Sequence, residues 1–377
     1  MRIRPLLYLA MGHMVSDLYP GMLSPLLPLI LARYGMSMAL AGLLVTVLQV
    51  FCNLTQPFFG ILNDNRPMRW FLWAGLLVSA VPFSMILKLH SIHTMALALA
   101  VTGIGVGMFH PIAAVAAGLV ARERRRGISM AIFSSGGTIG FMIAPILVVY
   151  IIERLGESSL PLVVVPAVLM TGLFLSVGDI TVSEQHKMTA SEWFAALSEN
   201  KRELFLLWLV SSFRAVVHTL VNSFLPLLAI ARGASYVTSA YVLSGSLFAS
   251  MIGMFLGGHL SDIHGRRKMM AITLFLATPL LYAFLYTTGI VSMILLMLGM
   301  GALSSTIPVN IVLAQSAAPK HSGMASSLVM GMSFALGAIT ATPFGALADS
   351  IGIAGAMNAI FIIPLLGGLI VLMLRKE

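Results

Sequence analysis

Twelve long apolar runs constrain this chain more than any other feature. A helix needs about 20 apolar residues to cross the ~30 Å hydrocarbon core of a bilayer. The runs fall at roughly 6–32, 37–62, 70–88, 93–121, 127–152, 160–180, 203–230, 236–261, 268–287, 290–317, 322–348 and 353–374, each near or above that length. Only 9% of the 377 residues are charged and 59% are hydrophobic, whereas a soluble domain carries roughly 25% charged residues. Such a chain cannot cover a water-facing surface. In lipid every backbone polar group must be satisfied internally, which leaves helices or a closed barrel. The runs are too long for barrel strands and do not alternate, so the chain is expected to be all-α and integral to the membrane.

The start, Met1-Arg2-Ile3-Arg4 and then apolar residues, resembles a signal peptide. Its apolar run is too long for that, and a second run follows at once, so it reads as an uncleaved first helix. Cys52 is the single cysteine, which excludes an intramolecular disulfide and a cysteine metal site. The formal charge of +9 reflects orientation rather than nucleic-acid binding. Arg2, Arg4, Arg66, Arg69, Arg122, Arg124, Arg125, Arg126, Lys187, Lys201, Arg202, Arg266, Arg267, Lys268, Lys320, Arg375 and Lys376 fall in segments on one side; Arg33, Lys88, Arg154 and Arg232 fall on the other. By the positive-inside rule both termini are cytoplasmic, in a bacterial inner membrane.

A polar stretch, 181–202, divides an N-terminal bundle of six helices (1–180) from a C-terminal one (203–377). Thr189-Ala-Ser-Glu192 in this linker reads as a capping box. Trp193, Phe194 and Leu197 would form the apolar side of a short interfacial helix. The halves echo each other at an offset of about 198 residues, as internal repeats of transporters do. Asp64 recurs as Asp262, Pro28 as Pro226 and Pro145 as Pro343. Gly103-Ile-Gly105 pairs with Gly299-Met-Gly301 at an offset of about 196.

Gly258-His-Leu260-Ser-Asp262-Ile-His-Gly265-Arg266-Arg267 resembles the cytoplasmic loop signature of the major facilitator superfamily, and Gly60-Ile-Leu62-Asn-Asp64 with Arg66 and Arg69 is a degenerate first copy, with Pro67 in place of glycine. Within that superfamily the chain resembles the fosmidomycin-resistance type of exporter. The likeness rests on Gly12-His13-x3-Asp17, Gln49, Gln56-Pro57-x2-Gly60, Phe109-His110-Pro111, Ile132-Phe133 and Gly136-Gly137-x2-Gly140. It implies twelve helices in two pseudo-symmetric bundles and proton-drug antiport by alternating access. The chain departs from the pattern in three places. Ile112 stands where the family has an acidic residue, helix 4 lacks an arginine, and the helix 5 Gly-Pro signature survives only as Gly140-x3-Ala144-Pro145.

Charged groups within a span cost at least ~2.5 kcal/mol each and mark substrate or ion pathways. Asp17 in helix 1 and Arg214 in helix 7 are such groups, and in repeat coordinates they lie within one residue of each other. Two readings stand. One is an ion pair that locks the halves together. The other is a switch across a midplane cavity, in which protonating Asp17 frees Arg214 for an anionic substrate group. His13, His110 and His218 are further proton-coupling candidates, or packing histidines. With Asp17 they also form an alternative transition-metal set, although no metal is assigned to the chain.

Gln49, Asn222 and Asn310 are substrate-contact candidates, and Gln56 reads as helix-helix glue. Gly60, Asp64, Arg69, Gly258, Asp262, Gly265, Arg266 and Arg267 are assigned to gating. There is no Gly-x4-Gly-Lys loop, no Gly-x-Ser-x-Gly elbow and no His-Glu-x-x-His motif, so neither enzyme activity nor a cofactor is expected. The expected partners are a small-molecule substrate, protons and membrane lipids, with no nucleic acid and a monomeric state. Export of a small, anionic compound is the leading reading. A metabolite or metal-ion transporter, a lipid flippase and a non-transporting receptor are its rivals.

Overall fold

The computed structural model describes residues 3–65, 68–120, 126–177, 200–319 and 322–375. Among them are twelve helical spans, labelled in chain order. The first six are α1 Ile3–Tyr34, α2 Met38–Asn63, α3 Trp70–Lys88, α4 Ile92–Val120, α5 Ser129–Leu155 and α6 Glu157–Ser176. The others are α7 Lys201–Ala231, α8 Tyr236–His264, α9 Arg266–Tyr286, α10 Gly289–Ala317, α11 Met324–Ile351 and α12 Ile353–Val371. Each is long and apolar enough to cross a membrane. Large apolar side chains such as Leu54, Phe58, Ile61, Leu169, Leu175, Ile290 and Leu298 are exposed, as a lipid-facing surface requires. The expected interfacial helix of the 181–202 linker lies outside the described residues, as do Arg66 and the basic cluster at Arg122, Arg124 and Arg125.

The spans group into two compact units. One contains α1, α3 to α6, α2 from Leu43 onward and the start of α8 to Ser244. The other contains α7, α9 to α12, the first residues of α2 and α8 from Gly245.

Interruptions of the last three helices coincide with prolines. A proline cannot donate to the carbonyl four residues earlier. Pro308 so frees Ser304, and α10 breaks at Ser305. Pro343 frees Ile339, and α11 breaks at Thr340. Pro364 frees Ile360, and α12 is interrupted at Phe361. α6 opens as a 3-10 turn over Glu157–Val164, so it begins earlier than the sequence reading placed it. Residues Leu328–Met332 of α11 form a π-helical stretch.

The repeat is visible in matching local devices. Gly35 and Gly233 both take a positive φ, 58° and 85°, at the turn after the first helix of each half. The hydroxyls of Ser37 and Ser235 accept the N–H groups of Leu40 (3.3 Å) and Thr238 (3.1 Å) at the next helix start. Arg33 donates to the carbonyl of Leu87 at 3.0 Å. Arg232 donates to the carbonyls of Phe284, at 3.2 Å, and Leu285. Each arginine thereby satisfies carbonyls at the end of the third helix of its half.

Without a hydrophobic force between helices in lipid, small residues at the crossings let backbones meet. A Cβ on Gly136 would stand 2.9 Å from the carbonyl carbon of Ala10, and one on Gly140 would stand 3.0 Å from that of Met14. α1 and α5 therefore cross on glycines. The glycines of α4 and α10 follow a different register from the one inferred by sequence. Gly103 packs on Leu48 and Cys52 of α2, whereas Gly105 packs on Gly75 and Ser79 of α3. Gly301 meets Ala249 of α8, and Gly299 meets Leu281 of α9. Gly103 is thus the counterpart of Gly301 and not of Gly299. The helix face, not the spelling of the Gly-x-Gly triplet, sets the equivalence.

Candidate functional site

The glycine crossing of α1 on α5 brings Asp17 and His13, one turn apart on α1, against α4 and α5. The residues are 6% and 9% exposed, respectively. Asp17 Oδ2 lies 3.3 Å from His13 Nε2, and Asp17 Oδ1 lies 3.1 Å from His110 Nε2 on α4. The two imidazoles meet at 3.1 Å, Nε2 to Nε2, with their planes nearly perpendicular. The far nitrogens are also engaged. His13 Nδ1 is 2.9 Å from the carbonyl of Phe133 on α5, and His110 Nδ1 is 2.9 Å from the carbonyl of Val106 one turn back. The Phe133 ring stacks on His13 at 4.3 Å. Donor atoms of His13, Asp17 and His110 all lie within 4.8 Å of one another, close enough for one bound cation. Among the described residues, the ion-pair partners of Asp17 are His13 and His110 of its own half, whereas the sequence argument looked to Arg214 in the other. The neighbours of the carboxylate come from close by, because α4 sets His110 beside it.

Arg214 is built into α7 and is 2% exposed. Its Nη2 donates to Ser211 Oγ at 3.1 Å, and Ser211 donates in turn to the carbonyl of Val329. That carbonyl lies in the π-helical stretch of α11, and π-bulges gather at functional sites. The guanidinium carbon sits 5.0 Å from the centre of the Phe334 ring. Nε and Nη1 have no hydrogen-bond partner among the described residues. A buried, charged donor without a partner carries a large desolvation cost.

One turn on, His218 packs edge-on to Phe334 and lies 3.2 Å from Asn222 Nδ2. Asn222 Oδ1 and Trp208 Nε1 are also buried and unpartnered. Asn310 donates to the carbonyl of Leu207 at 3.0 Å, which makes it a bridge between α10 and α7. Gln49 offers its backbone carbonyl to Asn53 at 2.7 Å. Gln56 turns back on the carbonyl of Cys52 at 2.9 Å, within its own helix.

Among the gating residues, Asp262 and Arg266 stand 3.9 Å apart and partly exposed. Arg267 donates to the carbonyls of Val371, at 3.1 Å, and Leu372, tying the start of α9 to the end of α12. Gly265 has φ 89°, a conformation that favours glycine. A Cβ on Gly60 would stand 3.7 Å from Pro111, and one on Gly258 would stand 3.8 Å from Pro308, a further matched pair. Arg69 is exposed. The side chain of Asp64 lies outside the described residues.

Sequence reasoning gave no site role to Phe133, Gly137, Ser211 or Phe334. Phe133 and Gly137 stood in the stretch that carried the family likeness, but as pattern only. No sequence signal pointed to Ser211 or Phe334, which come to Arg214 through a serine one turn back and a break in α11.

A family model described as Major Facilitator Superfamily matches residues 9–342 and 207–377. The fosmidomycin resistance protein of Escherichia coli (strain K12) is 26% identical over 370 residues, covering 95% of this chain and 90% of that protein. The MFS-type transporter YfnC of Bacillus subtilis (strain 168) is 26% identical over 377 residues, covering 96% and 90%. A bacterial homologue of the human lysosomal transporter Spinster, inward-facing and occupied, superposes with a TM-score of 0.84 at 15% identity, covering 99% of this chain and 96% of that one. A D-xylose-proton symporter gives 0.78 at 17%, covering 100% and 99%. At such identities the structures speak to the fold alone.

Proposed function

The chain belongs to the major facilitator superfamily, and from that premise we propose that it is a proton-coupled exporter of a small anionic compound, working by alternating access as a monomer in a bacterial inner membrane with both termini cytoplasmic. The carrying observation is Arg214, buried with two guanidinium nitrogens unpartnered. A carboxylate or phosphonate would supply the missing acceptors in bidentate fashion. Phe334 beneath the guanidinium holds the fork in place, while Asn222 and Trp208 offer further unused polar atoms. The relative named for fosmidomycin resistance supports export of such a compound.

Asp17, with His13 and His110, is the proposed coupling group. A proton arriving at this cluster changes its charge, and that change drives the switch between the two access states. Asp262, Arg266 and Arg267, with Asp64 and Arg69 in the first copy, are the proposed gate residues, since contacts at helix ends can form and break as the loop ends move.

Reconstitution in proteoliposomes tests this. An imposed pH gradient should drive uphill movement of fosmidomycin or a related phosphonate. Arg214→Gln should abolish it without loss of folded protein. Unchanged transport in Arg214→Gln would remove Arg214 from anion recognition.

A further inference from the structure

We infer that His13, His110 and Asp17 form a binding site for one divalent first-row transition-metal ion, with zinc as the type case. The inference rests on the proposed role of this cluster as the transporter's cation site and names a ligand class for it.

Hydrogen bonding sets the argument. A backbone carbonyl can only accept. The Nδ1 atoms facing the carbonyls of Phe133 and Val106 at 2.9 Å therefore carry the hydrogens. In the neutral rings both Nε2 atoms are then bare lone pairs. They face each other at 3.1 Å and face the Asp17 carboxylate at 3.3 and 3.1 Å. Acceptors crowded this closely repel unless a cation lies among them. A proton placed on one Nε2 serves one edge of the triangle at a time. Protons on both would give each carboxylate oxygen a donor but hold two N–H groups and their positive charges 3.1 Å apart. A metal ion above the triangle satisfies all its corners together.

Further features fit an ion. Donors bound tetrahedrally about 2.1 Å from zinc stand roughly 3.4 Å apart, close to the spacings found here. Metal-binding histidines typically donate their far N–H to a carbonyl, which fixes the tautomer, and both rings do so. Two imidazoles and a carboxylate form a borderline-hard set that suits zinc, cobalt or nickel rather than calcium or magnesium. Finally, α5 presents Gly137 to the cluster. A Cβ there would stand 2.6 Å from His13 Nε2 and closer still to Asp17 Oδ2, so only glycine lets α5 close over the donor set and exclude bulk from it. His218 belongs to the other unit, next to Arg214, and is not part of the set.

Purified full-length protein, untagged and stripped with chelator, tests the proposal with zinc chloride and cobalt chloride alone. Titration calorimetry should give one zinc per chain, weakened at least 100-fold in His110→Gln and Asp17→Asn and unchanged in His218→Gln. The cobalt form should show absorption typical of mixed nitrogen and oxygen ligation, which reports on the wild-type protein and does not depend on a variant folding. Absence of stoichiometric binding to the wild type, or binding that survives both His110→Gln and His13→Gln, would overturn the site. If metal binding fails while pH-driven anion transport still requires Asp17, this site alone is lost. Metal binding that follows the three residues, in protein that moves no anion down or against a pH gradient, upholds the site and removes the transport reading instead.

Discussion

The two intramembrane charged centres are opposites in hydrogen-bond economy. The cluster on α1 and α4 holds more acceptors than its own hydrogens can serve: two imidazole nitrogens and a carboxylate converge within 3.3 Å. Arg214 on α7 holds more donors than its surroundings accept, with Nε and Nη1 unpartnered. One centre is rich in acceptors and the other in donors. Yet the surrounding devices are copies of one another: the Gly35 and Gly233 turns, the Ser37 and Ser235 caps, and the Arg33 and Arg232 contacts to the third helix. A duplicated scaffold constrains the backbone and leaves the residues facing its interior free to diverge. Asp17 and Arg214 occupy nearly the same repeat position and do opposite electrostatic work.

The sharpest way to break this contrast is to silence each centre separately. Asp17→Asn should reduce pH-driven transport in proteoliposomes to background while the protein still melts cooperatively. Retained uphill movement would take the first centre out of coupling. Arg214→Lys keeps the charge but loses the planar fork. It should raise KM for the anion by about ten- to a hundredfold, matching a charged hydrogen bond of ~1.5–3 kcal/mol, with a smaller change in maximal rate. An unaltered KM would mean that the guanidinium does not hold the substrate.

The scaffold half of the comparison predicts smaller effects. Gly136→Ala forces a methyl into the α1 and α5 crossing and should cost about 1–3 kcal/mol, the usual range for overpacking. Gly118→Ala, where nothing lies within 4 Å, should be neutral or slightly stabilising. Equal melting temperatures for the two variants would contradict the crossing. Arg232→Ala should destabilise by about 1 kcal/mol, the worth of a typical hydrogen bond, because it loses two carbonyl contacts and its place over Phe284. The smallest effect belongs to Asp262→Asn. Its pair with Arg266 is partly exposed at 3.9 Å, so stability should change by less than about 1 kcal/mol. A measurable change in transport rate with unchanged melting would then assign the residue to gating.

Much of this was legible in the chain itself. Twelve spans follow from run length, since a bilayer core admits only helices or closed barrels and the runs are too long for barrel strands. Asp17, His13, His110 and Arg214 stood out by the cost of burying them in oil. Partnership was less legible. Repeat arithmetic set Asp17 against Arg214, yet its counter-groups lie one turn away on α1 and across on α4. The same arithmetic paired Gly103 with Gly299, whereas the helix faces pair it with Gly301.

Burial cost is a property of a residue type and a run of neighbours, so the sequence by itself determined the helices, their number, the repeat and which side chains carry the expense. Hydrogen-bond partnership depends on which faces meet, and that is decided by glycine crossings and proline breaks acting far apart in the chain. Only the tertiary structure therefore decided that Phe133 and Val106 fix the histidine tautomers, that Gly137 lets α5 pack onto the cluster, and that Ser211 and Phe334 brace the Arg214 guanidinium.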